Sequence, residues 1–315
     1  MGSEMCIRDS LINLKPLWDA KMVKGNDNFK HPQYLVTAEW LFDNLQDTNL
    51  RIYDCTAHLL PHPTKTYTVG SGRDDYNKAH IPGADFLDLQ EELSDKNSEL
   101  RFTFPRGEDF AAAVSKKGLG DTNIVILYST TSPQWATRIW WMLKTFGFDN
   151  AKVLDGGLIH WQQKGYPVST KPAQYLPTTF TPNLQPGLIA DKDEVQKAID
   201  DYSVCTINAL SKAQHTATGG TVYGRPGRIS KSENVPTSNL INSDTNMFLS
   251  PDEIAQMFQD VGVDKAERIL TYCGGGIAAS ATAMLLFMLG YENVALYDNS
   301  MSEWANDESL PMETG

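Results

Sequence analysis

The chain has 315 residues, 41% of them hydrophobic, and a formal net charge of −12. This length suits two domains, and the acidic balance argues against nucleic acid or an anionic membrane as a partner. No apolar run approaches the roughly 20 residues of a membrane-spanning helix; the longest, Ala278 to Leu289, reads as a buried helix.

Residues 1–10 read as the translation of a sequencing adapter joined to the gene, and they are set aside together with Cys6. Residues 11–33 are then an N-terminal extension. Thr37 is expected to cap a helix running through Trp40, Leu41 and Leu45. A strand follows at Leu50 to Tyr53 and another at Ile124 to Tyr128. The stretch from Tyr166 to Gly187 holds Pro167, Pro172, Pro177, Pro182 and Pro186 without helical periodicity, and reads as a linker. Beyond it, Asp191 and Glu194 form a capping-box pattern, Val204 to Ile207 a strand, and Ser250 followed by Pro251 the start of a helix. Arg268 to Tyr272 and Asn293 to Tyr297 are strands on either side of the helix Ala278 to Leu289. Strands without polar alternation are expected to be buried on both faces. Alternation of strands and helices predicts an α/β fold with parallel sheets flanked by helices on both faces.

The chain also repeats itself. Gly118 matches Gly262, and Tyr128–Ser129 matches Tyr272–Cys273, at an offset of 144; Gly147, Asp155 and Trp161 match Gly290, Asp298 and Trp304 at an offset of 143. One inserted residue accounts for the change. A period this long marks a duplicated domain rather than a solenoid. The domains are placed at residues 34–165 and 188–315, with the linker at 166–187.

Of the four cysteines, Cys6, Cys55, Cys205 and Cys273, none forms a CxxC pair, and the count is too low for a disulfide scaffold. Reduced thiols fit a cytoplasmic location, and neither a metal nor a cofactor signature is present. Cys55 and Cys205 read as packing residues; Trp135, Trp140 and Trp141 read as core and inter-domain contacts. Cys273 differs, because it stands between a buried strand and a helix and is followed by Gly274, Gly275 and Gly276, then Ile277 and Ala278. Such glycines let consecutive backbone N–H groups curl inward, and the helix N-terminus adds partial positive charge. A thiol there should ionise readily, and thiolate is the nucleophilic form. The same cradle of amides from residues 274–278 suits an anionic persulfide or oxyanion.

At this point the chain resembles the tandem-domain rhodanese and 3-mercaptopyruvate sulfurtransferase family. The resemblance rests on Arg73 to Ala84 (including His80, Ile81, Pro82 and Gly83), Leu100 to Pro105, Asp155 to Trp161, Tyr297 to Trp304, and the ending Leu310 to Gly315. It implies two tandem rhodanese-like domains and a ping-pong reaction. In it Cys273 takes sulfane sulfur from a small donor of thiosulfate or 3-mercaptopyruvate type and passes it to a thiol or cyanide. Residues 274–278 then form the active loop. Ser129 stands where the first domain would need its cysteine, so that domain is expected to be inactive and to serve as structure and one wall of the cleft.

Departures from the family pattern bear on the substrate. Basic residues after the cysteine would suit thiosulfate, and Gly274 and Gly275 stand there instead. The usual Asp and Arg of the second domain are replaced by Asn208, Ala209, Leu210 and Ser211. Arg225 and Arg228, the latter in the place of His80, are the candidates for holding a donor's carboxylate or sulfonate through a bidentate fork. His215 is a candidate substrate or proton-shuttle residue, and Lys212 reads as solvated. A monomer or weak homo-oligomer is expected. Two other functions compete. A phosphatase would need an arginine six residues after the cysteine, where Ala279 stands. A non-catalytic binding or sulfur-relay module would not need a reactive thiol in an amide cradle.

Overall fold

The computed structural model describes residues 28–62 and 66–315. The adapter scar, Cys6 and most of the 11–33 extension lie outside the described residues. The strands are β1 (Leu35–Val36), β2 (Leu50–Asp54), β3 (Ala57–Leu60), β4 (Thr68–Ser71), β5 (Ala84–Phe86), β6 (Ile124–Tyr128) and β7 (Ala151–Leu154) in the first half. The second half has β8 (Ile189–Ala190), β9 (Val204–Asn208), β10 (Arg228–Ile229), β11 (Glu233–Asn234), β12 (Arg268–Tyr272), β13 (Val294–Tyr297) and β14 (Met312–Glu313). One parallel sheet runs in the order β1-β7-β6-β2-β5, and the other in the order β8-β13-β12-β9-β11. The two orders are the same topology, and every pairing within them is parallel. Helices flank both sheets, which makes the protein α/β. The antiparallel hairpin β3-β4 projects from the first half.

The strands behave as their composition dictates. Along β6, Ile124, Ile126 and Tyr128 enter one core while Val125 and Leu127 enter another, and all are buried. The shared core lies between the two sheets and is filled by the helices Gln134–Thr145 and Ile277–Leu289. The two helices pack against each other, and Ala136, Ala279 and Ala283 on them are fully buried. Thr137 and Ser280, 143 residues apart, hydrogen-bond across the contact at 2.9 Å. These two positions are equivalent in the duplication, so the bond marks the axis relating the halves. Trp135, Trp140 and Trp141 are all buried in this core. Among the described residues no helix is long and apolar enough to cross a membrane.

Helix starts follow local chemistry. Thr37 Oγ1 accepts from the Trp40 amide at 3.1 Å, opening Ala38–Asn44. Ser250 and Glu253 close both halves of a capping box on Pro251–Asp260. At Asp191 only half of the expected box forms: Asp191 accepts from the Glu194 amide, but the Glu194 carboxylate turns to Arg268 at 2.9 Å. The competing partner is a guanidinium on β12, which outweighs a second capping bond. Residues 166–187 are tied to the first half along much of their length: Tyr175 accepts from the Ile52 amide at 3.0 Å, and Phe180 is buried.

Two carboxylates lock the halves reciprocally. Asp298 Oδ2 accepts from the amide of Phe104, and Asp155 Oδ1 accepts from that of Phe248, at 2.8 and 2.9 Å. Only Asp298 has a cation, because Arg138 donates to it while the matching position in the other helix is Ala281. Burial without a counter-ion pushes the Asp155 carboxyl up to about 7, against the pull of the Phe248 and Gly156 amides. Its folded-state value lies above that of an exposed aspartate. The stability tied to it is therefore full below about pH 4 and is lost as pH rises toward 7. Asp155→Asn keeps an acceptor for Phe248 and removes the titration. Thermal melts should show the wild type losing several degrees between pH 5 and 8, with the variant losing clearly less. Equal losses in both would place the pH dependence elsewhere.

Candidate active site

Strand β12 ends at Tyr272, and Cys273 follows at the C-terminal edge of the sheet, 3% exposed. The helix Ile277–Leu289, 13 residues long, starts four residues later, with Gly276 as its N-cap. The three glycines between are not equivalent. At Gly276 φ is +76°, a left-handed value that a side chain disfavours, and an added Cβ would lie 2.7 Å from the Arg138 guanidinium. A Cβ on Gly274 would sit 2.0 Å from the Tyr223 ring. Gly275 has no such constraint; its nearest neighbours are the Ser302 hydroxyl at 3.7 Å and the Arg101 carbonyl and Tyr67 hydroxyl at 3.9 Å.

Residues after β13 hold the loop. Ser300 Oγ accepts from the Cys273 amide at 3.0 Å and donates to the Tyr297 carbonyl at 2.7 Å. Ser300 has φ +49°, a strained conformation for a residue with a side chain, and these bonds stabilise it. The Met301 amide donates to the Cys273 carbonyl, and both the amide and hydroxyl of Ser302 donate to that of Gly274. Among the described residues, nothing accepts the N–H groups of Gly274, Gly275 or Gly276. The carbonyl side of the loop is therefore committed and its amide side is open beside the thiol. Such a loop can hold an anion on or next to the sulfur.

Two tyrosines wall the site. Tyr223 packs on Gly274, and its ring meets that of Tyr67 edge-on at 6.1 Å. Burial pushes both phenols up, and a charge on Cys273 pushes in the same direction. Tyr67 belongs to the first half, so the thiol lies in a cleft between the halves. Burial pushes the Cys55 thiol well up and that of Cys205 up to about 11, as suits packing residues.

In the first half the matching loop is bonded differently. The Ser129 hydroxyl donates to the Ser132 carbonyl, and the Thr130 amide donates to Thr56 Oγ1 at 2.8 Å. Thr56 in turn is held by Asp54.

The sequence-predicted anion binders spend most of their donors on the scaffold. Arg225 directs its guanidinium to the carbonyls of Trp304, Ala305 and Asp307, at 3.2, 3.3 and 2.6 Å. Arg228 pairs with Glu313 at 3.2 Å and donates to the Gly315 carbonyl at 2.8 Å, securing the C-terminal strand. His215 is buried rather than in a surface loop, and its ring meets the Asn208 side chain at 3.2 Å. Burial, with Arg228 and Lys212 nearby, pushes it down to about 4, so it is neutral near pH 7 and unsuited to shuttling protons there. Lys212 is exposed. The cleft residues that sequence reasoning passed over are Tyr67, Tyr223, Arg101, Ser300 and Ser302. Arg101 and the two serines lay inside the quoted motifs; nothing in the sequence marks the tyrosines.

A family model described as the rhodanese-like domain matches residues 37–164 and again 191–307. The chain is 32% identical to thiosulfate/3-mercaptopyruvate sulfurtransferase 2 of Arabidopsis thaliana, over 88% of this chain and 86% of that protein. It is 30% identical to the 3-mercaptopyruvate sulfurtransferase of Escherichia coli K12, over 89% of this chain and 98% of that one. The crystal structure of SseA from Escherichia coli, a 3-mercaptopyruvate sulfotransferase with a rhodanese fold, superposes with a TM-score of 0.74 at 29% identity. That match covers 86% of this chain and 99% of the other.

The glycine geometry separates two substitutions that look alike in sequence. Gly274→Ala should push the Tyr223 ring out of place and destabilise the protein by about 1–3 kcal/mol, with a loss of activity. Gly275→Ala should change stability by less than about 1 kcal/mol. Urea melts of the two variants check this, and equal effects would contradict the assignment.

Proposed function

The chain belongs to the rhodanese-like domain family, and on that premise we propose that Cys273 is the residue on which the transferred sulfur rides. The protein is a sulfurtransferase. The observation that carries the assignment is the Cys273 thiol beside three uncommitted loop amides at the start of a buried helix.

The thiolate attacks the outer sulfur of the donor. With thiosulfate the S–S bond breaks and sulfite leaves with the electron pair. With 3-mercaptopyruvate the C–S bond breaks, and the carbon keeps the pair as pyruvate enolate, which takes a proton. Either way Cys273 becomes a persulfide, whose terminal sulfur is anionic and suits the amides of Gly274, Gly275 and Gly276. A thiol or cyanide then attacks that terminal sulfur, and the Cys273 thiolate is the leaving group, so the enzyme returns to its starting state. Ser300 is a positioning residue that holds the Cys273 amide. The first domain does no chemistry, since Ser129 cannot form a persulfide and the Thr130 amide of its loop is taken by Thr56. The described cysteines are free thiols, which favours a reducing compartment such as the cytoplasm. A non-catalytic sulfur-relay module is disfavoured, because it has no use for an open cradle around a thiol.

Cys273→Ser should abolish transfer from thiosulfate and 3-mercaptopyruvate, with an unchanged circular dichroism spectrum and melting temperature within a few degrees of wild type. Ser129→Ala should keep rates within about twofold. Steady-state assays with cyanide as acceptor test both, and turnover by the Cys273 variant would overturn the mechanism.

A further inference from the structure

The basic residues that thiosulfate-preferring members carry after the cysteine and the family's usual arginine at the end of β9 are absent, and Gly274, Gly275 and Leu210 stand there. Arg228 is paired with Glu313 and the Gly315 carbonyl, and Arg225 turns Nε and Nη2 to scaffold carbonyls, which leaves it only Nη1. An anionic donor still needs a cation in the cleft, and the first domain supplies one. We propose that Arg101 recognises the anionic oxygen end of the sulfur donor, a carboxylate or a sulfonate, from across the domain boundary. This rests on the sulfurtransferase reading and names the residue that selects its substrate.

Arg101 is placed by a constrained turn. Phe102, next in the chain, has φ +65° and is buried, a conformation an aromatic residue adopts only when its surroundings impose it. Those surroundings are the second domain. Arg138 Nη2 donates to the Phe102 carbonyl at 2.5 Å and also binds Asp298, while Asp298 accepts from the Phe104 amide. Thr103 adds a bond to the Asn299 side chain at 3.4 Å. The segment carrying Arg101 is thus fastened to the residues that follow β13, the same stretch that holds the Cys273 loop.

The Arg101 side chain is half-buried and preorganised, yet largely uncommitted. One nitrogen donates to the Tyr67 carbonyl at 2.5 Å, and the guanidinium lies 4.8 Å from the centre of the Tyr67 ring. Among the described residues it has no carboxylate partner, whereas Arg106, Arg138, Arg228 and Arg268 each have one. Tyr67 stands between Arg101 and the active loop: its hydroxyl lies 3.9 Å from where a Cβ on Gly275 would stand, and burial pushes the phenol up, with Arg101 pulling against the rise and a charge on Cys273 adding to it. The side-chain position left empty at Gly275 is where the donor fits, bounded by Ser302, Tyr67 and the Arg101 backbone. A planar guanidinium with free N–H groups, stacked and half-desolvated, is the group that binds such an anion in a directed way.

Two measurements on Arg101→Gln and Arg101→Lys test this. The first is the KM for thiosulfate and for 3-mercaptopyruvate. Arg101→Gln should raise it about 10- to 100-fold for the donor whose anion Arg101 holds, with kcat changed little and Arg101→Lys in between. The donor with the larger loss identifies the anion as sulfonate or carboxylate. The second is the rate of Cys273 alkylation by iodoacetate relative to iodoacetamide, its uncharged isostere. Arg101→Gln should lower this ratio about 10-fold. A purely structural role would slow both reagents alike, and an unchanged ratio, or an unchanged KM for both donors, would overturn the proposal. Absence of any Cys273 persulfide in the wild type would instead strike at the sulfurtransferase reading, so the two failures are distinguishable.

Discussion

The contact on which the site depends is the buried pair between Arg138 of the first domain and Asp298 of the second. Arg138 is fully buried and also reaches the carbonyls of Phe102 and Gly276, and its guanidinium stacks 4.4 Å from the Phe104 ring. One side chain thereby joins the N-cap of the active helix, the acidic residue after β13 and the turn that carries Arg101. Breaking a buried pair by removing one partner costs about 3–5 kcal/mol, because the other charge is left without compensation. Such a pair is better understood as fixing geometry than as adding stability. It specifies how the two halves meet and so specifies the cleft.

The duplication lets the Cys273 site be compared with its counterpart at Ser129. Both halves use the same sheet, the same helix across the axis and the same aspartate-to-amide latch, Asp298 to Phe104 and Asp155 to Phe248. The differences are few and local. Ser129 replaces the thiol, Thr56 occupies the amide of Thr130, and Ala281 leaves Asp155 without the cation that Asp298 enjoys. Tyr67 and the Arg101 backbone of the first domain lie against the Cys273 loop of the second. A cleft assembled from two copies can change its substrate through the inactive copy, leaving the nucleophile's surroundings intact.

Much of this was readable from sequence where short-range physics decides. The buried strands are β-branched and leucine-rich runs without polar alternation, and they form where expected, as at Ile124–Tyr128 and Arg268–Tyr272. The strand–Cys–Gly–helix junction is equally local, and the structure places Cys273 at it. What the sequence hides is the choice of partner. Arg225 and Arg228 look available, but the carbonyls of residues 304–307 and the C-terminal strand take them, and no local pattern announces carbonyl groups as partners. Glu194 looks like half of a capping box until Arg268 competes for it. Gly274 and Gly275 are identical in sequence, and only the arrival of the Tyr223 ring distinguishes them. Arg101 was visible within a motif, but its role depends on a turn imposed by the other domain.

The central claim is that sulfur is carried on Cys273. It is tested most directly by intact-protein mass spectrometry after incubation with thiosulfate and, separately, with 3-mercaptopyruvate, followed by peptide mapping. The account predicts a gain of about 32 Da for one added sulfur, located on Cys273 and removed by cyanide or a thiol, as expected of a thiolate nucleophile. Folded protein that gains no sulfur from either donor, or gains it on Cys55 or Cys205, would contradict it.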